Sequence, residues 1–201
     1  YIRANDLVVQ AKPTYEPLVI PTSQIGIQGK HNQLNSMAAS IAAQILHIQN
    51  KVIRESLEQF QGVSHRMQYV ATIRGVKWIN DSKATNVDSC WYALEAMTTP
   101  TVLILGGKDK GNDYQAIADL VKQKCHTLIF MGLHNEKLID FFSGFGIPYV
   151  STDNLNDAVQ AAYQAAREGD TVLLSPCCAS FDLFHSYEDR GDQFMNAVKK
   201  L

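Results

Sequence analysis

The sequence contains no G-x-x-x-x-G-K-[ST] run, the loop whose backbone N–H groups cradle nucleotide phosphates, so these residues build no phosphate cradle of that kind. A G-x-G-x-x-G fingerprint opening the first strand–helix unit is also missing, which leaves a nicotinamide- or flavin-dependent dehydrogenase with little support. Neither C-x-x-C spacing nor a metal-ligand pattern links the 4 cysteines and 6 histidines. Cys90, Cys125, Cys177 and Cys178 therefore read as buried apolar thiols in a reducing compartment, not as redox, metal or nucleophilic groups. No apolar run is long enough to span a membrane, and residues 1–6 lack the apolar core of a signal peptide, so a cytoplasmic protein with no membrane partner is expected. The formal net charge of -2 gives no reason to expect nucleic acid or an anionic lipid surface, although specific anions stay open. Repeats and low-complexity tracts are absent.

What is present suits a globular chain. Its 201 residues, 46% hydrophobic and 19% charged, can bury a real core as one large domain or two small ones. With no initiator methionine and a strand-like start, the chain reads as a piece of something longer. Leu7-Val8-Val9-Gln10 and Leu18-Val19-Ile20 are short apolar runs broken by Pro13, Pro17 and Pro21, hence strands joined by turns. Leu34, Met37, Ala38, Ile41, Ala42, Ile45 and Leu46 recur at helical spacing, and a second helix runs through Val52, Ile53, Leu57 and Phe60. Gln61-Gly62-Val63-Ser64 is the natural boundary, giving segments 1–63 and 64–201.

Beyond the boundary, residues 67–73 and 76–79 form a hairpin turning at Arg74-Gly75. Strands over 101–105, 127–131, 147–150 and 171–174 then alternate with helices over 87–97, 113–124, 135–142, 155–167 and 187–200. Such alternation demands right-handed crossovers and a mostly parallel sheet covered on both faces, a doubly wound α/β fold.

Ligands of such sheets bind beyond the carboxyl ends of the strands, and three loops there stand out. Asn80-Asp81-Ser82-Lys83-Ala84-Thr85-Asn86 packs a carboxylate suited to a vicinal diol, an ammonium and hydroxyls between strand and helix; helix capping accounts for one such residue and does not need the lysine. Leu105-Gly106-Gly107-Lys108-Asp109-Lys110 precedes a helix start, where a lysine and a helix N-terminus together favour an anion; a flexible glycine turn with solvated lysines is the equal alternative. Leu174-Ser175-Pro176-Cys177-Cys178-Ala179-Ser180-Phe181-Asp182 offers small residues and free N–H groups for a carboxylate. No G-x-S-x-G elbow and no histidine placed by sequence makes a nucleophile of Cys177, Cys178 or Ser180, so binding is preferred to covalent catalysis. Upstream, Asn32 and Asn35 share one face of a helix start and can address a heterocycle, with capping by His31-Asn32 as the alternative. Arg66, beside His65, suits a phosphate or a plain surface position.

In order, Gly29-x-His31-Asn32-x-x-Asn35, His65-Arg66, Asn80 to Asn86, Leu105-Gly106-Gly107-x-x-Lys110 and Leu174-Ser175-Pro176-x-Cys178-Ala179-Ser180-Phe181-Asp182 resemble the Mur ligases, and within them the D-glutamate-adding branch. The motifs cover nearly the whole chain from Gly29 onward; Cys177 and Tyr187 stand where alanine and phenylalanine are expected. The resemblance implies a Rossmann-like C-terminal domain over 64–201, preceded over 1–63 by the end of a central ATPase domain whose P-loop, magnesium ligands and modified lysine lie outside this chain. It implies a monomeric, ATP-dependent, acid–amino-acid ligase of peptidoglycan synthesis. In such ligases the terminal carboxylate of UDP-N-acetylmuramoyl-L-alanine becomes an acyl phosphate, which the amine of D-glutamate attacks. Carried over by motif, Asn32 and Asn35 neighbour adenine, His65 and Arg66 contact nucleoside or phosphates, and Asp81 binds ribose. Thr85 and Lys110 receive the α-carboxylate of D-glutamate, Ser180 with the backbone near Phe181 and Tyr187 receives its side-chain carboxylate, and Lys83 faces the reacting centre. The isolated fragment is expected to be inactive. Alternatives are another Mur-type or folylpolyglutamate-type ligase and a non-catalytic nucleotide-binding module; diamino-acid-adding relatives resemble Asp-Asn-Pro-Arg where this chain has Asp-Ser-Lys-Ala-Thr-Asn.

Overall fold

The computed structural model describes residues 1–27 and 29–201, the His31 side chain apart, so a capping role for His31 falls outside the described residues. Two compact units divide the chain, Tyr1–Gly62 and Val63–Leu201.

In the first unit, β1 (Ile2–Arg3), β2 (Asp6–Val9) and β3 (Leu18–Pro21) form an antiparallel sheet. Alternation puts Leu7, Val9, Leu18 and Ile20 on one face, where Ile25 and Ile53 complete a core. The helices α1 (Lys30–Ile45) and α2 (Asn50–Gln59) follow. Gln44 of α1 is buried and ties the sheet to the helices, accepting from the Ala11 N–H at 2.8 Å and donating to Asn50 Oδ1 at 2.9 Å.

The second unit opens with the hairpin β4 (Gln68–Ile73) and β5 (Val76–Asn80), whose two-residue turn has positive φ at both Arg74 (52°) and Gly75 (75°), matching the strand twist. There follow α3 (Val87–Glu95), β6 (Thr101–Gly106), α4 (Ala118–Lys124), β7 (Cys125–Met131), α5 (Glu136–Phe142), β8 (Tyr149–Thr152), α6 (Leu155–Ala165), β9 (Thr171–Cys177) and α7 (Tyr187–Val198). The sheet order is β4-β5-β9-β6-β7-β8, parallel except for the β4–β5 hairpin. Leu103, Leu105, Leu128, Phe130 and Leu173 pack one face against α3, α4 and α5. Val102, Ile104, Ile129, Val172 and Leu174 pack the other against α6 and α7. Helices on both faces explain strands that are apolar at nearly every position, and the α/β fold is the doubly wound one the alternation demands.

Several boundaries depart from the sequence reading by two residues or more, among them three with a local reason. Residues 114–117 form a 3-10 turn before α4, so no α-helix starts at Asp113. Strand β9 continues through Pro176 to Cys177, because the ladder shifts register between Ile104 and Gly106 and so needs no N–H from the proline. Strand β8 begins at Tyr149, two residues later than expected, after the left-handed Gly146 (φ 71°) and Pro148.

Candidate functional site

Since β9 lies between β5 and β6, the three loops leaving the carboxyl ends of β5, β9 and β6 are neighbours, although nearly a hundred residues separate the first from the last in sequence. This is the point where the strand order reverses, the place such sheets use for ligands. The Lys108 N–H donates to the Ala179 carbonyl at 2.8 Å and so joins the β6 loop to the β9 loop. Gly107 permits this approach: a Cβ there would run into the Ala179 carbonyl.

Arg190 on α7, which sequence reasoning missed, fastens the β5 loop to the β9 loop. Its side chain is fully buried. Nε donates to Ser82 Oγ at 2.9 Å, Nη2 to the Ser82 carbonyl at 2.8 Å, and both Nη atoms to the Cys178 carbonyl at 3.2 Å. Burial pushes the guanidinium down to about 10, against the opposing influence of Cys178, Asp182 and Cys177, so it stays charged at neutral pH. The one sequence signal was its neighbour Gly191 in a helix interior, where a Cβ would land on the His65 ring.

His65 is part of this scaffold. Its buried ring meets Asn80 Nδ2 through Nδ1 at 3.0 Å, lies 3.8 Å from Asp192 through Nε2, and packs edge-on to Tyr187. Its carbonyl accepts from the Lys83 N–H at 2.9 Å. Arg66 beside it is exposed. Asp81 also differs from the open acceptor that a ribose role suggests: it is 4% exposed, with Oδ2 accepting from the Ser175 hydroxyl at 2.9 Å and Oδ1 from the Met67 N–H at 3.1 Å. Desolvation pushes its carboxyl up to about 7, outweighing the Ser175 and Met67 hydrogen bonds and the Arg66 charge that act downward.

The remaining candidates fall in both units. In the β5 loop only Asn86 caps, accepting from the Ser89 N–H at 2.8 Å, so capping does not account for Lys83 or Thr85. Lys83 Nζ sits 3.8 Å over the Tyr187 ring, a cation–π pair that holds the ammonium beside the first turn of α7. Among the described residues, the N–H groups of Ser180, Phe181 and Asp182 have no hydrogen-bond partner. Ser180 is 2% exposed and Phe181 64% exposed. Lys110 is exposed on the β6 loop. No N–H of the 3-10 turn is left for an anion at Gln115, because the Asp113 side chain accepts from it at 3.0 Å. Asn32 and Asn35 lie in the first unit, both within α1, whose N-cap is Gly29. All four cysteines are buried, and burial pushes the Cys125, Cys177 and Cys178 thiols up, so those three are not ready nucleophiles. No group of three His, Cys, Asp or Glu that could hold a metal occurs among the described residues.

A parallel sheet whose reversal point carries ammoniums, hydroxyls and free N–H groups has the chemistry that suits a small anionic ligand there. Comparison with known proteins gives the family. Residues 65–178 match the family model "Mur ligase, glutamate ligase domain". The chain is 58% identical over 189 residues to the UDP-N-acetylmuramoylalanine–D-glutamate ligase of Bacteroides thetaiotaomicron, covering 92% of this chain and 43% of the relative. The protein of the same name from Porphyromonas gingivalis is 51% identical over 197 residues, covering 98% and 43%. Similar solved structures are MurF from Acinetobacter baumannii (TM-score 0.67, 16% identity, 92% of this chain and 40% of that one) and Mycobacterium tuberculosis folylpolyglutamate synthase complexed with ADP and AMPPCP (TM-score 0.65, 12% identity, 90% and 42%). These two share the fold. The chain belongs to the Mur ligase family, and it spans about two fifths of the length of the relatives it matches.

Proposed function

We propose that this chain is the amino-acid-receiving part of an ATP-dependent ligase that adds D-glutamate to UDP-N-acetylmuramoyl-L-alanine in peptidoglycan precursor synthesis. The observation that carries this reading is the meeting of the three loops at one rim, in a chain 58% identical to a relative of that name. The first unit belongs to the central ATPase domain and the second is the glutamate-binding domain, so this part alone is inactive. The protein acts in the cytoplasm as a monomer, and its product serves cell-wall growth, cell shape and division.

Thr85 and Lys110 take the α-carboxylate of D-glutamate. Ser180, with the unpartnered N–H groups at Phe181 and the first turn of α7 at Tyr187, takes the side-chain carboxylate. Two anchored carboxylates fix the amine, which attacks the acyl carbon as phosphate leaves; Lys83 faces that centre and favours the negative charge developing there. Holding the amine at attack distance makes the step effectively unimolecular, worth up to roughly 7–11 kcal/mol in ideal geometry. Asn32 and Asn35 neighbour adenine, and Arg66 addresses the nucleoside or phosphates. His65 and Asp81, being buried, support that contact by holding the Arg66–Met67 turn; a ribose hydroxyl reaches Asp81 only if it displaces the Met67 or Ser175 bond. ATP supplies the phosphoryl group. Magnesium accompanies the ATP, with its ligands in the rest of the central domain.

The test is ADP release by the complete enzyme with UDP-N-acetylmuramoyl-L-alanine. Release should depend on D-glutamate and not on L-glutamate or a diamino acid. Absence of D-glutamate dependence overturns the reading.

A further inference from the structure

In the turn at 108–112 the Lys108 and Lys110 side chains are exposed, while the backbone and the Asp109 carboxylate are tightly bonded. On one side Lys108 is held by its N–H to the Ala179 carbonyl at 2.8 Å. On the other, the Asp109 carboxylate is saturated: Oδ1 accepts from the Gly111 N–H at 2.6 Å, the Asn112 N–H at 3.0 Å and Lys137 Nζ at 3.2 Å, and Oδ2 accepts from the Tyr114 hydroxyl at 2.6 Å. The side-chain donors and Asn112 are themselves anchored. Tyr114 is 2% exposed, with its hydroxyl 3.3 Å from Cys178 Sγ. Lys137 also donates to the Asn112 carbonyl at 2.6 Å, and the Asn112 side chain donates to the Cys177 carbonyl at 3.0 Å.

We infer that Asp109, with Tyr114 and Lys137, is the positioning device for Lys110, fixing the apex of the loop so that its ammonium is presented to a substrate carboxylate. The inference rests on the D-glutamate reading of the rim. Two physical reasons support it. A lysine at the tip of a loose glycine loop would have to lose backbone and side-chain freedom on binding, whereas an Asp109-bonded turn has already lost the backbone share. An aspartate directly before the binding lysine would also cancel its field, but here Lys137 and three N–H or O–H donors neutralise the carboxylate and leave the Lys110 charge to the ligand. The backbone of this turn is therefore held by hydrogen bonds rather than loose, while both of its lysine side chains stand in solvent.

The test is steady-state kinetics of the complete ligase carrying Asp109→Ala, Tyr114→Phe or Lys137→Met. Misplacement of a binding group by roughly 1 Å is worth up to about a hundredfold, so Asp109→Ala should raise KM for D-glutamate by about tenfold or more, with kcat and KM for ATP within about twofold. Tyr114→Phe and Lys137→Met, which keep the fold by shape and by exposure, should raise the same KM by smaller factors. An unchanged KM for D-glutamate, or equal rises for D-glutamate and ATP, overturns the inference. Amide exchange in the 201-residue chain separates this from the underlying reading: Gly111 and Asn112 should exchange faster in Asp109→Ala. Unaltered exchange at both amides overturns the pin whatever the substrate proves to be, while faster exchange in an enzyme without D-glutamate dependence removes the substrate reading alone.

Discussion

At the scale of single residues, the balance at Asp81 is decided by burial. Its two hydrogen bonds and the Arg66 charge act downward on the carboxyl, yet desolvation leaves it at about 7 from an ordinary 3.8. Between about pH 4 and pH 7 the folded chain then keeps a proton that the unfolded chain has released, so stability from this group is full below the unfolded value and is lost as pH rises towards 7. A shift of that size corresponds to roughly 4 kcal/mol. Urea midpoints measured across this window should fall with pH in the parent chain and fall less in Asp81→Asn; parallel slopes would refute the assignment. Asp109 behaves oppositely. Burial raises its carboxyl, but the Tyr114 hydroxyl, two backbone N–H groups and Lys137 together lower it, so its contribution is present above the ordinary aspartate value and disappears only as pH falls through a still lower one. A second prediction concerns Arg190. Replacement by methionine leaves the Ser82 and Cys178 carbonyls without donors in a buried place, at about 1–3 kcal/mol for each orphan, and should lower the urea midpoint without changing the slope.

At the scale of elements, the alternation of strand and helix was readable because each apolar run is bounded by glycine, proline or a capping residue, and because burial on both faces makes these strands almost continuously hydrophobic. The loops were readable too, since Lys83, Lys110 and Ser180 sit where strands end. Illegible were the contacts that cross the chain: Arg190 to Ser82, or Asn80 to the Gly191 carbonyl, pair residues whose closeness depends on β9 entering between β5 and β6. No periodicity encodes a partner a hundred positions away. Pro176 misled for a different reason, because a proline normally marks the end of a central strand and here occupies a register shift. Gly191 tests how closely α7 meets the β4 approach. Alanine is worth about 1 kcal/mol over glycine in a helix interior, but its Cβ would fall on a His65 ring already fixed by Asn80, and overpacking costs about 1–3 kcal/mol. Gly191→Ala should therefore lower the melting temperature, and a rise would show that the ring can move aside.

For the molecule as a whole, the two units differ sharply in how much core each encloses. The second surrounds its sheet with two apolar layers that include Trp78, Phe130, Phe142 and Phe194 at no measurable exposure. Among its described residues the first has only Leu7, Val9, Leu18, Ile20, Ile25 and Ile53 as a buried apolar core, while Leu34 (57%), Ile41 (42%) and Ile45 (51%) lie exposed along α1. Spacing of this kind puts them on one side of the helix. A piece of about 60 residues is close to the limit at which a single core can sustain a fold, and one that leaves its apolar stripe in water falls below it. Residues 63–201 expressed alone should therefore unfold in one cooperative transition within about 5 °C of the second unit's melting in the intact chain. Residues 1–62 alone should give a poorly dispersed amide spectrum and self-associate through the α1 stripe, and Leu34→Gln with Ile41→Gln should reduce that association. A sharp, dispersed spectrum from residues 1–62 at micromolar concentration would show that the small core suffices.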